Sequence, residues 1–467
     1  MNGREQKTDN DTCWRKDRAA LEGYVEGQTF LWMTEKGNTN TAQHAPSLLE
    51  FILSPSNLNE AYKRVRRNDG SGGVDGMDTK ALLKYLHHHR EELITSLSEG
   101  SYKPQPVRRV DIPKENGKKR QLGIPTVVER VIQQAITQQL SPIYERAFHC
   151  SSYGFRPKRN AHQAVMQCQR NANEGYRYVV DMDLEKFFDT VNQSKLIEVL
   201  SRTIQDGRVV SLIHKFLRAG VMAQGHYSDT PQGVPQGGNL SPLLSNVMLN
   251  ELDKELEHRG HRFVRYADDC MIFCSSKRAA QRVLASITKY IEKELYLRVN
   301  RDKTTVAHIK DVKFLGYGFY FSSKGCRVRT HGTSVEKMKT KIRELTSRSN
   351  GWGNERRKEA LRQYITGWLN YFHLADMKSL LWRIDEWFRR RLRSLIWKQW
   401  KRIKTKLRNL IRLGIPRPKA WEFANTRKGY WRTADSPILH RSITNESLKK
   451  AGYIFFSDYY KQVRCVN

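Results

Sequence analysis

The sequence predicts an α+β protein whose C-terminal third becomes helical throughout and strongly basic. Two observations carry the mixed class: short β-branched segments interrupted by acids at residues 178–184 and 263–274, and apolar residues recurring every three or four positions around them. The third is charge. The 467 residues hold 82 Lys plus Arg against 48 Asp plus Glu, a formal net charge of +34. Such an excess points to a polyanionic partner, nucleic acid first. At 39% hydrophobic the chain carries enough apolar sequence for a large core. No apolar, uncharged run reaches the length of a membrane span, and no membrane partner is expected. The start lacks the apolar core of a secretion signal. Seven cysteines without CxxC pairs exclude both a disulfide framework and a zinc ribbon.

Residues 1–44 are polar, rich in Thr, Asn, Asp and Gln, and read as an extension. From Leu49 the pattern turns helical through Ile52, Leu58, Ala61, Tyr62 and Val65, until the glycine-rich run at residues 70–76 breaks it. Residues 108–125 alternate around Asn116-Gly117, a pair suited to a hairpin turn with positive φ. Helical spacing resumes over residues 129–140. Ser241-Pro242 opens another helix, with Ser read as its N-cap and Pro at its first position, and Gly260 ends it. Residues 389–419 contain 13 basic residues and no acidic one, while Leu381, Ile384, Phe388, Leu392, Ile396, Trp400, Ile403, Leu407 and Ile411 keep a helical spacing. This predicts one amphipathic helix, or two in tandem, with a cationic outer face and its tryptophans in the core.

Three acids carry the candidate chemistry: Asp183 at the end of one strand, and Asp268 with Asp269 in a hairpin turn flanked by apolar arms. Carboxylates on two neighbouring strands can grip two Mg²⁺ ions about 4 Å apart, one activating a hydroxyl and one holding the leaving oxygen.

Tyr266-Ala267-Asp268-Asp269 in a hairpin resembles the signature of reverse transcriptases, and other blocks follow in that family's order. Asp183-Leu184-Glu185-Lys186-Phe187-Phe188-Asp189 is similar to the first catalytic block. The resemblance implies that Asp183 ligates metal with Asp268 and Asp269, and that Phe188 excludes a 2′-hydroxyl, so that the monomer is a dNTP. Gly233-Val234-Pro235-Gln236-Gly237-Gly238 resembles the nucleotide-pocket loop, with Gln236 as the contact. A second Pro-Gln-Gly triplet at residues 231–233 leaves the register open, and Ser241-Pro242 favours the later one. The hairpin at residues 112–125 implies triphosphate contacts from Lys114 and Arg120, and Asp302-Lys303-Thr304 implies that Lys303 protonates pyrophosphate as it leaves. Phe314-Leu315-Gly316 and Ser152-Tyr153-Gly154-Phe155-Arg156-Pro157 resemble further blocks of the family.

Within the family the chain resembles bacterial group II intron-encoded proteins. Residues 57–62 and 73–76 match their N-terminal block, Gly367-Trp368-Leu369-Asn370-Tyr371-Phe372 their maturase core, and residues 424–432 their DNA-binding segment. The implied architecture is a right-hand polymerase: fingers and palm with an antiparallel palm sheet over residues 45–328, a helical thumb/maturase domain over 329–402 and a basic DNA-binding segment over 403–467. The implied function is RNA-directed DNA synthesis with two Mg²⁺ ions, coupled to splicing of the intron RNA. Its partners are intron RNA, target and primer DNA and dNTPs, in a bacterial cytoplasm and at the nucleoid. Arg389, Arg390, Arg391, Arg393, Lys401, Arg402, Lys404, Arg427 and Lys428 are the expected nucleic-acid contacts. Without the CxxC pairs of an endonuclease module, priming from a nick or a replication-fork strand is the expected route of mobility. A splicing-only maturase, or the reverse transcriptase of a retron, diversity-generating or defence element, is the alternative. The first would have lost the catalytic acids, which this chain retains.

Overall fold

The computed structural model describes residues 47–113, 117 and 119–466. The polar extension and Lys114 lie outside the described residues. The chain packs as two compact units, one of residues up to Asn160 with Val180–Val306, the other of Ala161–Val179 with Ala307–Asn467.

The first unit begins with helices Leu48–Leu53 and Pro55–Asn68, separated at Ser54 because a residue before proline disfavours the helical region. Strands β1 (Val107–Pro113) and β2 (Lys119–Ile124) form the expected hairpin, in register from Arg108 opposite Ile124 to Pro113 opposite Lys119. Most of its tip lies outside the described residues, but Gly117 has a φ of +76°. Helix Val127–Glu145 follows and opens on a capping box. Thr126 Oγ1 accepts from the Glu129 amide at 3.3 Å, and Glu129 Oε2 accepts from the Thr126 amide at 3.1 Å. The Glu129 carboxylate also accepts from the Gln105 amide, and burial pushes its pKa up to about 7.

Strand β3 (Tyr178–Met182) stops just before Asp183. The short pair β4 (Val221–Ala223) and β5 (His226–Ser228) extends the first hairpin into a sheet of order β2-β1-β4-β5. Helix Ser241–His258 follows, then β6 (Arg262–Tyr266), β7 (Asp269–Cys274) and β8 (Thr305–His308), which complete a second sheet of order β6-β7-β3-β8. Ser241 is not the N-cap expected of it. Leu240 takes that position without a side-chain bond, and the Ser241 hydroxyl donates to the Pro235 carbonyl at 2.6 Å, pinning the preceding loop.

Beneath the β6–β7 turn, Arg265 and Asp253 are both fully buried. The guanidinium holds both carboxylate oxygens, at 2.7 and 2.5 Å. It also donates to Asn246 Oδ1 at 2.9 Å and to the Ala267 carbonyl at 3.0 Å. The Arg265 backbone bonds to Ser151 and Tyr153, both at 2.9 Å.

In the second unit β9 (Lys313–Phe314), β10 (Tyr317–Ser322) and β11 (Gly325–Thr330) form a sheet of order β11-β10-β9, with helix Ala161–Asn173 against β11. The basic region forms two helices in tandem, Lys378–Gln399 and Ile403–Arg412. Their tryptophans divide. Trp397 is core, whereas Trp382 is exposed and Trp387 and Trp400 are half-buried. Buried Asp385 accepts the Phe456 and Ser457 amides, both at 2.9 Å, and so caps the start of helix Phe456–Val466.

Two outcomes follow from this packing. Arg265→Leu strands a buried carboxylate and should destabilise the fold by about 3–5 kcal/mol. Adding Asp253→Leu should recover most of that loss in urea unfolding. A raised carboxyl pKa means that the folded state holds a proton the unfolded chain has released, so Glu129 lowers stability as pH climbs from its ordinary value near 4.5 to about 7. Glu129→Gln, which keeps one acceptor oxygen and cannot ionise, should remove that fall across the window in melts at stepped pH.

Candidate active site

A cleft of about 960 Å³ opens in the first unit. Its walls include Arg120 of β2, residues 183–189 after β3, Gln236, the Asp268–Asp269 turn and residues 298–303. The three acids singled out in the sequence therefore face one cavity, together with four of the five expected nucleotide contacts: Arg120, Phe188, Gln236 and Lys303. Lys114 lies outside the described residues.

Asp183 is held through both its backbone and its side chain. The Asp183 carbonyl accepts from the Asn300 amide at 2.9 Å, and the Asp183 amide donates to Thr304 Oγ1 at 3.2 Å. Its Oδ2 accepts from Asn300 Nδ2 at 2.9 Å and from Lys303 Nζ at 3.0 Å. Asp268 and Asp269 follow Ala267, whose φ of +58° turns the chain between β6 and β7. The Arg265 guanidinium bonds the carbonyl of that left-handed residue. Gly154 packs against it from the other side, where an added Cβ would come within 2.3 Å of the Ala267 amide nitrogen. The Ser152–Pro157 block is thus a buttress for the acidic turn.

The nucleotide-loop candidates interlock. The Val234 amide donates to the Phe188 carbonyl at 2.6 Å, and the Gly233 amide to the Val191 carbonyl at 2.8 Å. A Cβ on Gly233 would meet the Phe188 and Asp189 carbonyls at 2.9 Å. The other triplet faces the hairpin: the Gly123 amide donates to the Gln236 carbonyl at 2.8 Å, and Arg120 Nε donates to Gln236 Oε1 at 2.9 Å. Gln236 lines the cleft, while Gln232 lines a separate, smaller cavity. The Phe188 ring is largely buried and meets Phe187 edge-on at 5.3 Å.

Two residues escaped the sequence reading. Asn300 holds Asp183, and its signal was its place three residues before Lys303. Asp181, two residues before Asp183 on β3, has its pKa raised to about 6 by burial and by the charges of Asp269 and Asp183. Negative charge is therefore concentrated at this end of the sheet. Among the described residues no three His, Cys, Asp or Glu side chains form a metal cage by themselves. The donors here are oxygens only, which suits Mg²⁺, an ion that takes one or two carboxylates and completes its shell with water and substrate phosphate.

The expected nucleic-acid contacts all lie in the second unit. Lys401, Arg402, Lys404, Arg427 and Lys428 are exposed. Arg389 and Arg390 are half-buried, over the Phe455 and Trp431 rings. Arg391 donates to Thr346 Oγ1 at 2.7 Å. Arg393 corrects the expectation: it is 4% exposed, and its guanidinium bonds the Ile443 carbonyl and Asn445 Oδ1, both at 3.0 Å. Helical periodicity turns that position inward, where it serves the fold.

Comparison with known proteins gives this geometry a lineage. The family described as reverse transcriptase (RNA-dependent DNA polymerase) matches residues 112–319, and the group II intron, maturase-specific domain matches residues 335–414. The chain is 34% identical over 320 residues to Protein YkfC of Escherichia coli (strain K12), across 60% of this chain and 84% of that protein. It is 31% identical over 364 residues to the group II intron-encoded protein LtrA of Lactococcus lactis subsp. cremoris, across 64% of this chain and 59% of LtrA. It thus spans less than two thirds of LtrA's length. A solved chain in a partial Cas6-RT-Cas1–Cas2 complex is similar over 56% of this chain and 45% of its own length, at 22% identity and a TM-score of 0.35. No described helix is long and apolar enough to cross a membrane. With a polymerase region that begins in β1 and a maturase-specific region that follows β11, the chain belongs to the family of group II intron-encoded reverse transcriptases, RNA-directed DNA polymerases that carry a maturase domain.

Proposed function

We propose that the protein copies its intron RNA into DNA by two-metal nucleotidyl transfer from dNTPs onto a DNA 3′-hydroxyl, and that it binds the same RNA to assist splicing and retrohoming. The observation that carries this reading is the shared cleft: Asp183, Asp268 and Asp269 face the same space as Arg120, Phe188, Gln236 and Lys303.

Asp183, Asp268 and Asp269 would hold two Mg²⁺ ions. Bound there, magnesium supplies positive charge for the attacking hydroxyl and for the leaving pyrophosphate. The chain's own groups do the rest. Arg120 offers a planar fork of donors to the triphosphate. Its bond to Gln236 ties the fingers hairpin to the loop that meets the nucleotide, so one nucleotide engages both elements together. Phe188, fixed through its own carbonyl by Val234, places a ring where a ribose 2′-hydroxyl would clash. Lys303, exposed and bonded to Asp183, is the proton donor for departing pyrophosphate. The exposed cations Lys401, Arg402, Lys404, Arg427 and Lys428 contact phosphates of intron RNA and target DNA. A nick or a replication-fork strand in the host cell's DNA supplies the primer.

Primer extension on an RNA template with Mg²⁺ and dNTPs tests the reading directly. Asp268→Asn should reduce extension to background while filter binding of intron RNA stays at the parent level. Loss of both in a folded variant would place RNA docking and chemistry on one surface. Phe188→Val should raise ribonucleotide use relative to dNTP use by roughly 10- to 100-fold, the scale of one lost steric contact. Single-nucleotide incorporation with each monomer measures that ratio.

A further inference from the structure

A cavity of about 830 Å³ in the second unit lies beside helix Lys378–Gln399 and is lined by Trp382, Arg383, Glu386, Arg389, Arg390 and Trp431 among others. Around it the aromatic faces are already taken by arginines. Arg390 lies 4.3 Å from the Trp431 ring centre, Arg343 and Arg391 lie 5.7 and 5.5 Å from that of Trp387, and Arg348 lies 5.3 Å from that of Tyr430. Trp382 breaks the pattern. It is 58% exposed, and among the described residues no guanidinium or ring stacks on it. Arg383 and Arg389 line the same cavity and form no ion pair among the described residues, whereas Arg390 is paired with Asp435 at 3.1 Å.

An exposed indole beside unpaired guanidiniums, over a hollow of ligand size, matches one chemistry: a flat aromatic group joined to an anion. We propose that this cavity binds an unpaired nucleotide of RNA, its base stacked on Trp382 and its phosphates held by Arg383 and Arg389. Glu386, one helical turn beyond Trp382, repels phosphate and accepts from a base amino group, so the nucleotide enters base first. A duplex keeps its bases stacked on one another and cannot offer one to an exposed indole, whereas loops and bulges of RNA can. Trp382, Arg383, Glu386 and Arg389 all fall within the matched maturase-specific region, which favours RNA over DNA as the occupant. The proposal rests on the reading of the chain as an RNA-binding protein and not on its polymerase chemistry.

The test uses the full chain and three probes in fluorescence anisotropy: a short unstructured RNA, the same RNA as a blunt duplex, and single-stranded DNA of the same sequence. Trp382→Ala should weaken single-stranded RNA binding by roughly 5- to 150-fold, the scale of one lost stacking contact, and leave duplex binding unchanged. Trp382→Phe, which keeps a ring, should restore most of the loss, and thermal unfolding should match the parent for both variants. Arg383→Gln should lower the salt dependence of single-stranded RNA binding by about one phosphate contact. Equal losses on duplex and single strand, no loss with Trp382→Ala, or a Trp382 effect confined to DNA would overturn the proposal. Primer extension on an unrelated template scores the polymerase reading separately.

Discussion

One guanidinium anchors the acidic turn. Removing two charges from water costs several kcal/mol per ion even after relaxation, and a buried pair survives only where the remaining donors and acceptors are matched. Arg265 meets that condition: Asp253 takes two of its donors, Asn246 and the Ala267 carbonyl take others. Those partners are also structural addresses. Asp253 and Asn246 belong to helix Ser241–His258, and the Arg265 backbone is stitched to Ser151 and Tyr153. Ala267 opens the turn. A single side chain thus sets helix, buttress and turn against one another, and the positions of Asp268 and Asp269 are inherited from that agreement. The same constraint explains Gly154, since no side chain fits between the buttress and the Ala267 amide.

A second constraint is backbone proximity in the loop of residues 231–237. Each Pro-Gln-Gly triplet ends in a glycine of positive φ, +89° at Gly233 and +124° at Gly237, and each glycine lies against a different neighbour. Gly233 meets the Phe188–Asp189 backbone, while Gly237 meets the Gly123 carbonyl, where a Cβ would come within 2.8 Å. The repeat therefore clamps the loop at both ends, to the segment that carries Phe188 and to the β1–β2 hairpin. Gln232 and Gln236 differ in role because the clamp points only the latter into the cleft.

Much of this was legible in the sequence because it follows from local periodicity or from an ordered set of short blocks. The β6–β7 hairpin, the helix after Ser241 and the tandem basic helices show in their spacing, and Asp183, Asp268 and Asp269 in their place at strand ends. What stayed hidden was tertiary. Ser241 has the chemistry of a cap, but the loop's need for a donor to Pro235 takes its hydroxyl. Asn300 is an ordinary polar residue until the fold brings it to Asp183 across 117 positions of sequence. Asp181 was visible as an acid in a strand, yet only its burial beside Asp269 and Asp183 makes its charge costly. Arg393 sits among cations in the sequence, and only the packing of helix Lys378–Gln399 against the segment around Ile443 distinguishes it from them.

That last case bears on how a net charge of +34 is to be read. A simple count treats every Lys and Arg as part of one field facing the polyanion, yet the second unit spends several of them internally. Arg393 bonds a carbonyl and an asparagine, and Arg391 bonds Thr346 and lies on Trp387. A guanidinium is more weakly hydrated than an ammonium and can lie flat on an indole, so arginine can be partly buried where lysine would resist it. The basic third is therefore two populations: arginines that act as planar packing units among tryptophans, and exposed cations near Lys401 and Arg427 that remain available to phosphate. The two differ in what they can discriminate: a stacked guanidinium fixes the position of its aromatic neighbour, while loose surface charge attracts every polyanion alike.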